Sequence, residues 1–355
     1  MEASLPDPQS RPQGPPRWLK LLGGLLLLAA LAFGLLAWWA GRLLAPAAPG
    51  ATHETELEVL PGWGAYEVAS ALEGAGLVRS GRVFSLYLRA AGLDRSVGEG
   101  LYSLSPSLST PEIARRLAAG GRVRTVTVVI PEGFRAAQVA ERLAALELGG
   151  PELGALIADP GDLRPAFVPE GVGLEGYLFP ASYELPLQAT AEGVLRAMLS
   201  RFERVLTPER RAKLEALGLS VHEWVTLASM IQAEAGHYDE MPIIAGVFLN
   251  RLELGMPLQS DPTVAYGLGK RLPELSALEG DLQRDHPWNT YTRTGLPVGP
   301  IGNPGEHALE VVFHAQRTNE DGEPYLYFLH GLGGEFRPNL TLEDHNRDIE
   351  LFLRP

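Results

Sequence analysis

The chain has 355 residues, a formal net charge of −13 and a pI near 5.2. Because phosphate contacts need clustered Lys and Arg side chains, this charge argues against nucleic-acid binding. The chain has no cysteine, which excludes disulfides and thiolate metal sites, and we expect no metal and no cofactor. The length predicts about two domains with additional segments.

The first predicted element is a membrane-spanning helix at 21–41. This stretch of 21 residues contains no charged side chain, and as a helix it is roughly 31 Å long, enough to cross the hydrocarbon core of a bilayer. Arg11, Arg17 and Lys20 precede it, and the chain turns acidic from Glu54 onward. The positive-inside rule therefore predicts a cytoplasmic N-terminus.

This orientation divides the rest of the N-terminal region. Residues 1–20 become a cytoplasmic tail, residues 42–53 a linker, and everything that follows lies on the outer side of the inner membrane. A cleaved signal peptide is the alternative, because 45–47 weakly resembles a small-residue cleavage site. The apolar run is longer than the core of a usual signal peptide, which favours a single-pass anchor.

The exported part is predicted to be α+β. Segments 56–78, 101–121 and 126–148 each have the pattern of a strand, a turn and an amphipathic helix. The first of them can continue through a second helix and strand to give a βααβ unit at 54–125, the outline of a LysM-like glycan-binding module. Such units also serve only as platforms, so this interpretation stays open.

The second half is predicted to be helical and then mixed. Residues 149–190 are predicted to be loop-rich. The segments 258–269 and 286–305 are predicted loops, and 324–330 is a predicted strand. Helices are predicted at 192–206, 208–217, 221–235 and 241–254.

The helix at 221–235 carries the most informative residue, Glu234. Ser220 and Glu223 form a predicted capping box at its start, and Gly236 predicts a left-handed stop. Helical spacing places Glu234 on the same face as three apolar residues, Leu227, Met230 and Ile231. Removal from water raises the pKa of a carboxyl group, so Glu234 suits a general acid. The alternative is a partly buried glutamate held by a structural arginine.

Two polar, aromatic loops follow this acid, at 258–269 and 286–305. Amides and hydroxyls bind the ring substituents of sugars, and flat aromatic rings pack on their apolar faces. Ordinary turn chemistry is the competing explanation, because Asn, Asp, Gly and Pro favour turns by themselves. A zinc site is rejected, because the residue four positions after His222 is Thr226 rather than a second ligand.

Several of these segments together resemble a known family. The segments LASMIQAEAG, FLNRLELGMPLQSDPTVAYG, WNTYTRTGLPVGPIGNPG, PYLYFLH and LEDHN are similar to the MltG (YceG-like) family of endolytic murein transglycosylases. In that family the catalytic acid is the second one of an Ala-Ser-x-x-Glu-x-Glu pattern, which matches Glu234. The first acid of the pattern is replaced by Gln232, and Pro-Ala-Ser-Tyr at 180–183 replaces a usual Pro-Asp-Thr-Tyr.

The resemblance implies a membrane-anchored lytic transglycosylase with 126–355 as its catalytic domain. Such an enzyme cuts the MurNAc-GlcNAc bond of nascent glycan strands, leaves 1,6-anhydro-MurNAc ends and works near penicillin-binding proteins. With Glu234 as the catalytic residue, the expected substrate-binding residues are Glu175, Tyr177, Gln259, Asp261, Thr263, Tyr266, Asn289, Thr290, Tyr291 and Asn303. A hydrolytic muramidase with Glu175 or Asp261 as second carboxylate, and a non-catalytic peptidoglycan-binding scaffold for cell-wall synthases, remain alternatives.

Overall fold

A computed structural model describes residues 17–60 and 62–354 of the chain. Most of the expected cytoplasmic tail, residues 1–16, therefore lies outside the described residues. The chain divides into two compact units, an N-terminal unit that ends at Arg124 and a C-terminal unit that begins at Thr125. Its secondary structure is a mixture of helices and short antiparallel strand pairs, which agrees with the α+β class predicted from the sequence.

The N-terminal apolar segment is one long helix, α1 (Arg17–Leu44). Its stretch Gly24–Leu44 has 21 residues and a mean hydropathy of 2.0. Length and composition therefore fit either a membrane anchor or a signal sequence.

The N-terminal unit has the βααβ order expected from the sequence, followed by a further helix. Strand β1 (Thr55–Val59) pairs antiparallel with β2 (Gly100–Leu104), with Leu57 opposite Tyr102. The helices are α2 (Ala65–Gly74), α3 (Gly81–Ala90) and α4 (Thr110–Ala118). They enclose a separate small core that contains Val68, Leu72, Phe84, Leu88, Leu104, Ile113 and Leu117.

The C-terminal unit contains two short antiparallel strand pairs. Strand β3 (Thr125–Val129) pairs with β4 (Ser182–Pro186), and β5 (Tyr327–His330) pairs with β6 (Phe336–Asn339). The segment 149–190 was predicted to be loop-rich, and its two short regular elements, the helix Leu153–Ala158 and β4, were not predicted. In β4 the buried residues Tyr183 and Leu185 alternate with exposed neighbours, the pattern of a half-buried strand. A strand of five residues is too short for this pattern to be recognised within a loop-rich segment.

Nine helices are described in the C-terminal unit besides short 3-10 turns. They are α5 (Ala136–Ala144), α6 (Leu153–Ala158), α7 (Ala191–Val205), α8 (Pro208–Leu217), α9 (Val221–Glu234), α10 (Met241–Glu253), α11 (Asp261–Gly267), α12 (Glu306–Val311) and α13 (Leu342–Phe352). The four helices predicted between 192 and 254 are confirmed, each within one residue at either end.

Helix α9 forms the centre of this unit. All residues from Trp224 to Ile231 are buried, so the helix is enclosed on every side over two turns, and it packs against α10 and α12. The Trp224 indole N–H donates to the carbonyl of Leu309 at 2.8 Å, which joins α9 to α12. The rigid helix fixes the position of its last residue, Glu234.

The end of α9 differs from the sequence prediction. Gly236 does not adopt a left-handed conformation; the helix stops at Glu234 because Ala235 is extended. The Glu240 carboxylate accepts hydrogen bonds from the backbone N–H groups of Gly236 and His237, at 2.7 and 3.1 Å. These bonds hold the chain turned away from the helix axis immediately after Glu234.

Helix α11 was not predicted, because the segment 258–269 was interpreted as a loop. Ser260 precedes the helix in an extended conformation, and Pro262 lies in its first turn, where the missing N–H costs nothing. The segment is therefore a short helix whose start lies beside Glu234.

Candidate active site

Glu234 lies at the C-terminal end of α9 and is partly exposed. The Ser260 hydroxyl donates a hydrogen bond of 2.5 Å to its Oε1 atom. Among the described residues, the other carboxyl oxygen, Oε2, has no hydrogen-bond partner and is not a buried atom. One oxygen is thus fixed by the protein and the other is available to a ligand.

Burial raises the pKa of Glu234 to about 7. The hydrogen bond from Ser260 and the charge of the Arg251 guanidinium lower the pKa, whereas the charge of the Asp261 carboxylate raises it. Near neutral pH this carboxyl group therefore exists in both its protonated and its ionised form. A group that first donates and then accepts a proton needs both forms.

The hydroxyl of Ser260 is held in place by a small buried network. The backbone N–H of Ser260 donates to the Thr290 hydroxyl at 2.9 Å, and the Thr263 hydroxyl donates to the Ser260 carbonyl at 2.6 Å. The two threonine hydroxyls are 2.9 Å apart, and all three residues are at most 1% exposed. Because rotation of any of them breaks a buried hydrogen bond, Ser260 is preorganised towards Glu234.

The loop before Ser260 is held by Arg251 of α10. Its guanidinium donates to the carbonyls of Leu258 and Leu326, at 2.9 and 2.7 Å, and to the side chain of Gln259 at 3.3 Å. Gln259 has a φ of +52°, a conformation that non-glycine residues seldom adopt. Such a conformation persists only where the surroundings enforce it, and here it directs the chain into α11 beneath Glu234.

Asp261 and Tyr291 form a second polar pair beside Glu234. The Tyr291 hydroxyl donates to the Asp261 carboxylate at 2.7 Å, and Asp261 itself is exposed. Burial and this hydrogen bond raise the pKa of Tyr291, so the phenol remains a donor. A negative charge with a fixed orientation therefore lies next to the catalytic candidate.

Glu175 is a second half-buried acid of the C-terminal unit. The backbone N–H of Ala136 donates to both of its oxygens, at 2.9 and 3.1 Å, the Tyr266 hydroxyl donates to Oε2 at 3.1 Å, and the Asn303 amide donates to Oε1 at 3.3 Å. Burial raises the pKa of Glu175 to about 7, although these bonds act in the opposite direction. This carboxyl group joins α5, α11 and the loop at 303.

The remaining residues expected at the site are buried and bonded inside the protein. The Tyr177 hydroxyl shares a hydrogen bond of 2.8 Å with His222. The Asn289 amide donates to the carbonyls of Leu282 and Arg284, at 3.0 and 2.7 Å. The Asn303 side chain accepts from the backbone N–H of Leu178 and donates to the carbonyl of Phe134. These three side chains are at most 1% exposed, so they shape the loops rather than line a surface.

Two residues of the site were missed by the sequence analysis, Ser260 and Arg251. A signal for Ser260 was present, because Ser followed by Asp-Pro is typical of a helix start. Arg251 had no such signal, since its partners are carbonyls up to 75 positions away along the chain.

Comparison with known proteins gives a consistent result. The model of the YceG-like family matches residues 57–351. A Bacillus subtilis protein named endolytic murein transglycosylase is 30% identical over 327 residues, with 88% of each chain covered. A Streptococcus pneumoniae serotype 2 protein of the same name is 30% identical over 315 residues, which cover 80% of this chain and 55% of the relative. The chain thus spans about half the length of the pneumococcal relative.

A solved structure agrees as well. The crystal structure of a YceG-like protein from Listeria monocytogenes has a TM-score of 0.51 and 30% sequence identity, and the alignment covers 83% of this chain and 99% of that one. With the family model matched from the first strand to the last helix, the chain belongs to the YceG-like family.

Proposed function

We propose that this protein is a peptidoglycan lytic transglycosylase with Glu234 as its catalytic acid and base. The observation that carries the proposal is the asymmetry of the Glu234 carboxyl group. Ser260 occupies Oε1, Oε2 is available, and the pKa is about 7. The relatives named endolytic murein transglycosylase support the same class of substrate.

In the proposed reaction, the protonated Oε2 of Glu234 donates its proton to the glycosidic oxygen between MurNAc and GlcNAc. The C1–O bond breaks, and GlcNAc leaves with that proton as its 4-hydroxyl. The 6-hydroxyl of the same MurNAc then attacks C1 and gives its proton to the Glu234 carboxylate. A 1,6-anhydro ring forms, the acid is restored and no water is consumed. Intramolecular attack lowers the entropic cost of this step.

The neighbours of Glu234 suit this cycle. Ser260 donates to the carboxylate that exists between the two proton transfers, which stabilises the intermediate state. The Asp261 carboxylate, oriented by Tyr291, is suited to stabilise positive charge that develops at C1. We propose that Gln259 and Tyr266 contact the strand, whereas Tyr177, Thr263, Asn289, Thr290 and Asn303 are positioning residues.

Hydrolysis is the second candidate, and Asp261 is the observation that favours it. A muramidase needs a second carboxyl group that activates water or attacks C1, and Asp261 is an exposed carboxylate whose charge acts on Glu234. Product mass separates the two reactions, because hydrolysis adds a water molecule to each new end and transglycosylation does not.

We further propose that the protein works at the outer face of the inner membrane. Helix α1 is suited to anchor it, and the basic residues Arg11, Arg17 and Lys20 favour a cytoplasmic N-terminus. We also propose that residues 54–125, which contain the βααβ unit, form a LysM-like module that binds glycan, and that residues 126–355 form the catalytic domain. An anchored enzyme of this kind meets nascent strands where penicillin-binding proteins release them and ends their elongation.

The test compares wild type with Glu234→Gln, both as the full chain in detergent, on uncrosslinked glycan strands. We expect the variant to lose about 100-fold or more of the rate, the usual contribution of a general acid, with anhydro products in wild type by mass spectrometry. The exposed Glu253→Gln on α10 is the matched control and keeps its activity. A normal rate of anhydro-product release by Glu234→Gln would contradict the assignment of Glu234 as the catalytic acid. Product ends that contain an added water molecule would favour the muramidase.

A further inference from the structure

The exposed side of helix α3 carries a row of arginine and leucine side chains. The buried side of this helix, with Phe84 and Leu88, faces the small core of the N-terminal unit. On the exposed side, Arg82, Leu86 and Arg89 follow one another at spacings of four and three positions, so they share one face of the helix. Leu86 is 64% exposed. We call these three residues the α3 stripe, a basic surface with an apolar centre.

The charge around the α3 stripe is opposite to that of the whole chain. Residues 79–95 contain four arginines and one aspartate, whereas the chain has a net charge of −13. Two other exposed arginines of the same unit have acidic partners. Arg122 lies 3.9 Å from Glu56, and Arg124 lies 3.8 Å from Glu58. A local excess of positive charge on an exposed helix attracts an anionic surface.

Hydrogen bonds place the start of α3 beside the end of α1. The Arg79 guanidinium donates a hydrogen bond of 2.8 Å to the carbonyl of Pro46, two residues after α1 ends. The backbone N–H of Ala48 donates to the carbonyl of Pro106 at 2.9 Å. Helices α1 and α3 also contact each other directly. The connection that follows α1 is therefore bonded to the folded unit, and α3 begins where α1 ends.

The same end of α1 carries residues that are typical of a bilayer interface. Trp38 and Trp39 are more than half exposed, and the Arg42 guanidinium lies 5.6 Å from the centre of the Trp38 ring. Tryptophan is enriched where the hydrocarbon core meets the lipid head groups. From Trp39 to the end of α1 at Leu44 the helix rises roughly 8 Å, about the depth of a head-group layer. With α1 as the proposed anchor, α3 begins at the level of the outer head groups.

We propose that the α3 stripe docks on anionic phospholipid head groups of the outer leaflet. Arg82 and Arg89 bind lipid phosphates, and Leu86 between them packs against the upper part of the acyl chains, as in helices that lie in the plane of an interface. This docking goes beyond the proposed reaction and rests on the proposed role of α1 as an anchor. It fixes the orientation of the N-terminal unit on the bilayer.

The experiment uses a single fluorescent reporter, which the absence of cysteine allows. The full chain with Ala90→Cys, one turn after Leu86 on the exposed side of α3, is labelled and reconstituted in nanodiscs of phosphatidylglycerol or phosphatidylcholine with a head-group quencher. We expect quenching to be at least about twofold stronger in phosphatidylglycerol. The difference is expected to shrink at about 0.5 M salt, because salt screens an exposed charge attraction. Equal quenching in the two lipids overturns the proposal.

Arg82→Gln/Arg89→Gln in the reporter background tests the stripe itself. We expect this variant to lose the extra quenching in phosphatidylglycerol, and Arg82→Lys/Arg89→Lys, which keeps the charge, to retain it. Glutamine has nearly the helix propensity of arginine, and both positions are exposed, so the fold is retained and thermal melting checks it.

Arg122→Gln/Arg124→Gln is the matched control, because it removes the same charge from the same unit outside α3. We expect this control to keep the extra quenching in phosphatidylglycerol. Equal quenching of the two glutamine variants overturns the proposal.

The docking, the anchor and the catalytic assignment fail separately. A chain that enters nanodiscs without lipid-dependent quenching contradicts the docking alone. A chain that does not enter nanodiscs contradicts the anchor and, with it, the docking. Normal turnover by Glu234→Gln contradicts the catalytic assignment and leaves the docking in place.

Discussion

Glu234 and Glu175 are two half-buried acids whose pKa burial raises to the same value, about 7, yet their surroundings differ. Glu234 accepts one hydrogen bond from a side chain and keeps Oε2 available at the end of a rigid helix. Glu175 accepts from three groups on three different segments. A raised pKa therefore does not by itself identify a catalyst; the unoccupied oxygen of Glu234 is the feature that supports its proposed role as the acid.

The largest expected effect is on turnover. Glu234→Gln is expected to lower kcat about 100-fold or more, since the proton donor is lost. Glu175→Gln is expected to raise KM and leave kcat within about tenfold, because its carboxyl group holds Tyr266, a proposed contact of the strand, but transfers no proton. Steady-state kinetics on defined glycan oligomers measures both variants. A larger loss of kcat in Glu175→Gln than in Glu234→Gln would reverse the two roles.

The second expected effect concerns stability as a function of pH. The folded-state pKa of Glu234 is raised, so the unfolded chain loses this proton first, and stability falls as the pH rises from about 4.5 to about 7. Glu234→Gln removes this penalty and keeps an acceptor for Ser260. The free energy of unfolding of the variant, relative to that of wild type, is expected to be higher at pH 8 than at pH 5 by roughly 2 kcal/mol.

Urea unfolding at the two pH values measures this difference. Glu175→Gln is the comparison, because its amide cannot satisfy all three donors. We expect its free energy of unfolding to fall by about 1 to 3 kcal/mol, the cost of an unpaired buried group. If Glu234→Gln changes the free energy of unfolding by the same amount at pH 5 and at pH 8, the pKa of Glu234 is not raised.

The third expected effect is a shift of the pH profile in opposite directions. Ser260→Ala removes a donor that lowers the pKa of Glu234, and Asp261→Asn removes a charge that raises it. The basic limb of kcat/KM follows the protonated fraction of the free enzyme, so it moves to higher pH in Ser260→Ala and to lower pH in Asp261→Asn. A complete loss of activity in Asp261→Asn instead identifies a second catalytic carboxylate.

Sequence patterns within a few positions were sufficient to predict the helix that bears Glu234. The Ser220 and Glu223 capping box is present, with the Ser220 hydroxyl and backbone N–H both donating to Glu223. The helix end was mispredicted at Gly236, because a carboxylate further along the chain, Glu240, ends the helix instead. Sequence patterns describe contacts within a few positions, whereas this end depends on a turn whose geometry only the folded chain supplies.

The neighbours of the two acids were harder to predict for the same reason. The donors to Glu175 lie 39 to 128 positions away along the chain. Ser260 is 26 positions from Glu234, and it reaches Glu234 only because α11 is a helix rather than the predicted loop. Residue types and family resemblance selected the two loops as candidates, but they did not distinguish exposed side chains from buried ones such as Asn303.

The smallest expected effect concerns Gln232, where the family pattern has an acid. The Gln232 side chain accepts a hydrogen bond of 3.0 Å from the backbone N–H of Gly305 at the start of α12, a role that a carboxylate also fills. Glu132 also lies beside Gly305, because a Cβ atom added there would meet its carboxyl group at 2.1 Å. A glutamate at 232 would therefore place a second negative charge in this corner.

Gln232→Glu is accordingly expected to cost only a few tenths of a kcal/mol near pH 7, since the repulsion at the exposed Glu132 is screened and α12 partly compensates. Turnover is expected to stay within about twofold, because the new carboxylate accepts from the same N–H and transfers no proton. Unfolding with and without Glu132→Gln measures the repulsion as a double-mutant cycle. A drop in kcat of about tenfold or more would show that the second acid acts on Glu234, and would add a third carboxyl group to the comparison.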